Sequence, residues 1–203
     1  GGVYYGGNLS TATSSSGIDS RNNGFNVTQF YTVGVGPSGV GTGDYFVAGA
    51  QDNGTQYFAG ASANANNSVR IQGGDGAFSM FDQDVDNYYI TNYVYNQSIN
   101  YRTIAGATRV INSESASNGA FICPMALDSS KDILFSDYTV PGATPVYGIR
   151  RYTNLKSGTV GKTTFTNSAL ITSSPTALTV SKYSTPESAT TLLAGFRNGK
   201  VLI

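Results

Sequence analysis

"GAFSMFDQDVDNYYITN", Gly76 to Asn92, reads as an apolar strand, a turn rich in Asp and Asn, and a second apolar strand. The same pattern occurs in "QFYTVGVGPSGVGTGDYFVAGA" (Gln29 to Ala50), "FICPMALDSSKDILFSDYT" (Phe121 to Thr139) and "TALTVSKYSTPESATTLLAGF" (Thr176 to Phe196). The last apolar residues before the four turns are Val35, Phe81, Leu127 and Val180, spaced by 46, 46 and 53 residues. Strand-sized pieces at that period, separated by Gly, Asn, Asp, Ser and Pro, match propeller blades of four strands a to d. Helical solenoids would instead show a 3.6-residue period, and no segment here does.

Each unit divides in the same way. In the first, strand a is around Phe30 to Val35 and b around Tyr45 to Ala50; c follows "QDNGT" and d lies near "SVRIQ". In the third, a is "FICPMAL", b "ILFSDYT", c "VYGIRRYT", and d lies near "TTFTNSALI". "GGVYYGGN" at the start reads as a c strand with a d strand after it, and the final "GKVLI" as another c strand. The expected fold is all-β: a β-propeller segment of about four blade-like repeats within a larger propeller. Its expected divisions are a partial blade 1–29, blades 30–73, 74–118 and 119–173, and a partial blade 174–203.

Composition agrees with strands and turns. Among 203 residues there are 25 Gly, 14 Tyr and 10 Phe, and only 12% are charged. Twelve basic residues balance twelve acidic ones, so no electrostatic footprint for nucleic acid is present. No apolar run reaches eighteen residues, so no membrane insertion by a helix is expected. The absence of histidine excludes Ser-His-Asp and Cys-His catalysis and imidazole-bound zinc within this chain. Cys123, alone in "AFICPMAL", reads as a small buried hydrophobe. The start at "GGVYYGG", without methionine, reads as that of a processed or excised chain.

"YFVAGAQDNGT", "IQGGDGAFSMFD" and "LLAGFRNGKVLI", with "GGVYYGGN" and "NNGFNVTQFYTVGV", together resemble the BNR-like and sortilin-like propeller repeats of large secreted bacterial proteins. The resemblance covers nearly the whole chain, and the QDNGT and GGDG pair is its most specific part. It implies an extracellular or cell-surface location and a choice between noncatalytic surface modules and glycoside hydrolases. The aspartate-box pattern S-x-D-x-G-x-T-W is nowhere intact and tryptophan is absent, which departs from the sialidases.

Antiparallel order sends the b to c turn and the d to a connection to one face of a propeller. Asp52 of "QDNGT" and Asp75 of "GGDG" therefore share a face, and Gln51, Asp52, Asn53, Arg70 and Asp75 are the candidate ligand-binding residues. Turn chemistry is the leading reading of these residues: Asn-Gly and Asp-Gly steps suit positive backbone dihedrals, and Asp accepts hydrogen bonds from nearby amides. Ligand contact comes second. Paired catalytic carboxylates, which would need a separation of about 5 to 9 Å, come third.

"DQDVDN" (Asp82 to Asn87) lacks the sixth-position glycine and twelfth-position glutamate of a calcium loop, so it reads as a polar hairpin turn. The tyrosines of "NYYITNYVYNQSINYRT" read first as packing between blades and second as a platform for sugar rings. N-x-S/T sequons stand at Asn8, Asn26, Asn53, Asn66 and Asn96. No metal and no cofactor is implied. The expected function is a noncatalytic module for adhesion, scaffolding or binding of glycans or other cell-surface or secretion proteins. The alternatives are a glycoside hydrolase using Asp52 and Asp75, and a structural part of a surface or secretion assembly.

Overall fold

The computed structural model describes residues 3–8, 10, 17–21, 23, 28–39, 44–60, 68–84, 87–181 and 189–203. The sequons at positions 26 and 66, the centre of "DQDVDN" and most of the turn after Val180 lie outside them. The described strands are β1 (Tyr4–Tyr5), β2 (Asp19–Ser20), β3 (Phe30–Val35), β4 (Tyr45–Ala50), β5 (Gly54–Ala59), β6 (Ser68–Gln72), β7 (Gly76–Phe81), β8 (Tyr88–Tyr93) and β9 (Ser98–Thr103). They continue with β10 (Thr108–Ser113), β11 (Met125–Asp128), β12 (Ile133–Asp137), β13 (Ile149–Thr153), β14 (Gly161–Phe165), β15 (Pro175–Val180), β16 (Leu192–Phe196) and β17 (Val201–Leu202).

Four antiparallel sheets form the blades of a β-propeller. The first is β3-β4-β5-β6, the second β7-β8-β9-β10, the third β11-β12-β13-β14, and the fourth has three described strands, β15-β16-β17. β1 and β2 pair as a separate two-stranded sheet. In every blade the strands follow chain order, as hairpin connections require.

Several boundaries in the third sheet differ from the expected ones: strand a begins at Met125 instead of Phe121, and strand b ends at Asp137, whose carboxylate accepts the Thr139 amide. Strand c starts at Ile149, because Val140 and Val146 form an isolated bridge ahead of it. Strand d ends at Phe165, because Asn167 turns the chain: its side chain accepts the Ala169 amide at 3.0 Å and its carbonyl accepts those of Leu170 and Ile171.

The sheets pack face to face, and the side chains between them alternate along the strands as the pleat demands. Val47, Phe81 and Tyr89 fill the joint between the first and second sheets, where Tyr89 stacks on Tyr57 at 5.0 Å. Tyr88, Ile90, Ile99 and Ile111 of the second meet Met125, Leu134, Tyr152 and Leu155 of the third region. Phe135 and Ile149 of the third meet Ala194 and Phe196 of the fourth. Each large apolar side chain buried in this way stabilises by about 1.5–3 kcal/mol. Exposed ion pairs such as Arg21–Asp19 contribute about 0–1 kcal/mol, so packing between blades holds the fold.

Candidate binding face

The turn between β4 and β5 is made by Gln51, Asp52 and Asn53. Asp52 takes a left-handed φ of 58° and Gly54 one of 73°, and the Asn53 amide donates to the Gln51 carbonyl at 2.7 Å. Gly54 is needed for a second reason. A Cβ there would stand 2.0 Å from the carbonyl oxygen of Gln72, and one on Gly76 would stand 2.4 Å from that of Gly54. Glycines at these positions let the "GGDG" connection lie directly against the "QDNGT" turn.

The two aspartates meet through a backbone group. The amide of Asp52 donates to Asp75 Oδ1 at 3.0 Å, so Asp75 fastens the entry of the second sheet to the turn of the first. Gln51 is engaged elsewhere: its Oε1 accepts the Tyr31 hydroxyl at 2.7 Å. The Asn53 side chain donates to the Gln51 carbonyl at 3.1 Å, and the Gln56 side chain to the Asn53 carbonyl at 2.7 Å. Arg70 belongs to the outer strand β6, opposite Gln56, and no ion pair among the described residues joins it to either aspartate. The five sequence candidates thus divide: Gln51 to Asn53 and Asp75 form one bonded unit, while Arg70 stands outside it.

Three aromatic residues complete this face. Tyr31 meets Phe121 edge to face at 6.2 Å, and Phe121 meets Tyr95 in the same manner at 5.4 Å. The first sheet, the β8–β9 turn and the loop entering the third sheet thereby come together. Tyr95 and Asn96 both hold φ near 57°, a conformation that is unfavourable for bulky residues and persists only under outside restraint. Asn96 supplies that restraint from a buried position. Its Nδ2 donates to the carbonyls of Asn118 and Asp137, its Oδ1 accepts from Asn92, and its carbonyl accepts from Asn112. Burial also closes the Asn96 sequon to modification of the folded chain, whereas Asn8 and Asn53 are exposed.

Beneath the face, Glu114 receives hydrogen bonds from Asn118, Tyr138 and Arg150, and the Arg150 guanidinium lies 3.2 Å from the Tyr138 ring centre. Burial raises the Glu114 carboxyl, but these three donors outweigh it and hold the group below its usual range. Asp137 accepts the Ala120 and Thr139 amides at 2.8 and 3.0 Å, yet burial still pushes its carboxyl upward. Burial, reinforced by Asp137, drives the Cys123 thiol upward, and its Sγ donates to the Ala120 carbonyl, which fits an inert hydrophobe.

The start of "DQDVDN" is structural. Gln83 bridges three sheets, donating from its amide to Ser129 Oγ and from its side chain to the Val35 carbonyl, both at 2.9 Å. Asp82 is buried, and that burial, followed by its hydrogen bond with Asp84, pushes its carboxyl up to about 7. Of the tyrosines, Tyr88 stacks on Tyr101 at 4.7 Å and Tyr89 on Tyr57, so both pack within and between blades. Tyr31 and Phe121 carried no sequence signal of a site, because their meeting depends on how three distant segments fold. Tyr95 lay within the tyrosine-rich stretch.

No protein-family model matches the chain, and no curated protein matches it in sequence.

Proposed function

We propose that this chain is a noncatalytic β-propeller module of a secreted or cell-surface bacterial protein, with a glycan-binding face built on the β4–β5 turn. The observation that carries the reading is the Tyr31, Phe121 and Tyr95 cluster beside the exposed amides of Gln51 and Asn53. Aromatic edges and faces pack against the C–H surfaces of a sugar ring, while amides and hydroxyls satisfy its hydroxyl groups. The location and the place within a larger propeller rest on the resemblance to BNR-like and sortilin-like repeats. Adhesion or scaffolding follows as the use of such a face.

Hydrolysis is disfavoured by the part Asp75 plays. One of its oxygens accepts the Asp52 amide, so the residue has a part in holding the loop that accounts for its presence without catalysis.

Screening the purified chain against a glycan array, with Tyr31→Ala and Phe121→Ala beside it, tests the proposal. The expected result is retention of a defined glycan class that weakens at least tenfold in both variants, within the range of about 1–3 kcal/mol for an aromatic stacking contact. Glycan binding that ignores both substitutions, or no binding together with turnover of a polysaccharide, would overturn it.

A further inference from the structure

Three acids are buried among the described residues: Asp82, Asp128 and Asp137. Asp82 and Asp128 hold the same place in successive sheets, since Phe81 pairs with Tyr89 as Leu127 pairs with Leu134, and each acid comes next in the chain. Two of the three are served by donors. Asp128 accepts the Ser130 hydroxyl at 2.7 Å, the Lys131 ammonium at 3.4 Å and the hydroxyl of Thr190, from the turn before β16. Asp137 accepts the Ala120 and Thr139 amides.

Asp82 differs from both. It is 1% exposed, neither of its carboxyl oxygens has a hydrogen-bond donor aligned on it, and no ion pair among the described residues includes it. The groups beside it are the Asp84 carboxyl and the Ser129 hydroxyl. Ser129 is fixed there from the second sheet, its Oγ accepting the Gln83 amide at 2.9 Å. The neighbouring acid Asp132 is neutralised within the protein: Lys156 stands 2.7 Å from one of its oxygens, and the Tyr88 hydroxyl donates to the other at 2.9 Å.

A buried carboxylate without a counter-charge is costly, and a second carboxyl against it adds repulsion once both are ionised. Carboxylate and hydroxyl oxygens are hard ligands, and an irregular set of them suits calcium better than magnesium, which demands near-ideal octahedral geometry. No group of three or more acidic, His or Cys side chains that could hold a metal forms among the described residues, so water completes the shell and the affinity is modest.

We propose that Asp82, Asp84 and Ser129 bind one calcium ion, which bridges the a to b turn of the second sheet to that of the third. The ion gives Asp82 the counter-charge that Lys131 gives Asp128. Its ligands come from two sheets and not from one continuous loop, so the calcium-loop spacing missing from "DQDVDN" does not bear on it. By antiparallel order the a to b turns emerge opposite the β4–β5 turn, and the site does not depend on the glycan-binding reading.

Terbium luminescence sensitised by tyrosine, with calcium as competitor, tests the site on chelator-treated protein. Tyr88 serves as the antenna, since its carbonyl accepts the Asp82 amide at 3.0 Å. Asp82→Asn and Asp84→Asn are compared with wild type and with Asp19→Asn, an exposed acid elsewhere. The expected result is a saturable signal that calcium displaces at about 10⁻⁴–10⁻³ M, with magnesium at least tenfold weaker. Asp82→Asn and Asp84→Asn should each weaken calcium at least tenfold, and Asp19→Asn should not. Thermal unfolding in chelator controls for folding; Asp84 is only half-buried, so its variant keeps the test decisive if Asp82→Asn does not fold. Calcium should raise the melting temperature of wild type and Asp19→Asn but of neither site variant. No saturable signal, a signal that calcium does not displace, magnesium as tight as calcium, or binding that survives either site substitution overturns the proposal.

Discussion

The first and second sheets meet backbone to backbone at Gly34 and Gly49, with Val47, Phe81, Tyr57 and Tyr89 packed beside that contact, whereas the second and third meet mainly through large side chains. Gly34, Gly49 and Gly76 bring the backbones of one joint so close that carbonyls and α-carbons fill the space a Cβ would need. In the other joint, fully buried Tyr88, Ile90, Ile99, Leu134, Tyr152 and Leu155 hold the sheets apart with interlocking bulk. The first joint places "GGDG" on the "QDNGT" turn and so creates the candidate face. The second supplies the packing energy on which that placement depends. A glycine in a strand of this protein is therefore a statement about what lies opposite it.

The largest difference is expected between Gly49 and Gly195, each of which pairs just after an irregularity in the inner strand of its sheet. Gly49→Val forces a side chain into the backbone of Ala77, which has no rotamer to yield. We expect loss of cooperative folding, or at least about 3 kcal/mol of destabilisation, in urea unfolding. Gly195→Val, at the equivalent position of the fourth sheet, should change stability by less than about 1 kcal/mol. Equal costs at both would contradict the backbone-to-backbone joint.

On the side-chain joint, Leu134→Ala should cost about 2–5 kcal/mol by lost transfer and cavity formation, measured the same way. The size of the loss reports how far Tyr152 and Ile90 can close over the gap.

Asp82 follows β7, where Gln83 touches both joints, and should make the stability of this region depend on pH. Its folded carboxyl lies at about 7, above the 3.8 of the free side chain, so folding favours the protonated form. Its stabilising effect is fullest below about pH 4 and is lost as pH rises through 7. The melting temperature of the wild type should therefore fall more between pH 5 and pH 8 than that of Asp82→Asn. Identical slopes would show that Asp82 does not carry the dependence.

The smallest effect is expected at the turn. Asp75→Ala removes the acceptor for the Asp52 amide at a site open to water, costing about 0.5–1.5 kcal/mol in thermal or urea unfolding. A loss as large as that of Leu134→Ala would mean that the turn, and not the side-chain joint, carries the fold.

The strands were legible because apolar residues alternate around polar turns, and the Asn-Gly step pointed to the left-handed Gly54; its left-handed companion is Asp52 instead of Asn53, and in "GGDG" it is Gly74 instead of the Asp-Gly step, because the hydrogen bonds of each turn set those dihedrals. The common face of Asp52 and Asp75 was legible too, since antiparallel order alone dictates it. The nature of their contact was not: whether a carboxylate meets another carboxylate or a backbone amide is decided within an ångström or two. Arg70, a further candidate, sits on β6 opposite Gln56, and its Cδ would lie 3.3 Å from a Cβ on Gly54, beside the turn but outside its hydrogen bonds. Tyr31 and Phe121 escaped notice because ninety residues separate them. The role of Asn96 did as well, since nothing in "YNQS" distinguishes an asparagine that binds three loops from one on the surface.

In the proposed binding face, the aromatic cluster stands over a clasp formed by the Gln51–Asn53 turn and Asp75. Affinity electrophoresis through gels carrying the polysaccharide identified on the array tests it most directly, comparing wild type, the Asp52→Asn/Asp75→Asn double variant and Tyr31→Ala. The account predicts that the double variant is retarded as strongly as wild type while Tyr31→Ala runs unretarded, with no polysaccharide degraded by any of the three. Degradation by wild type that disappears in the double variant would contradict it.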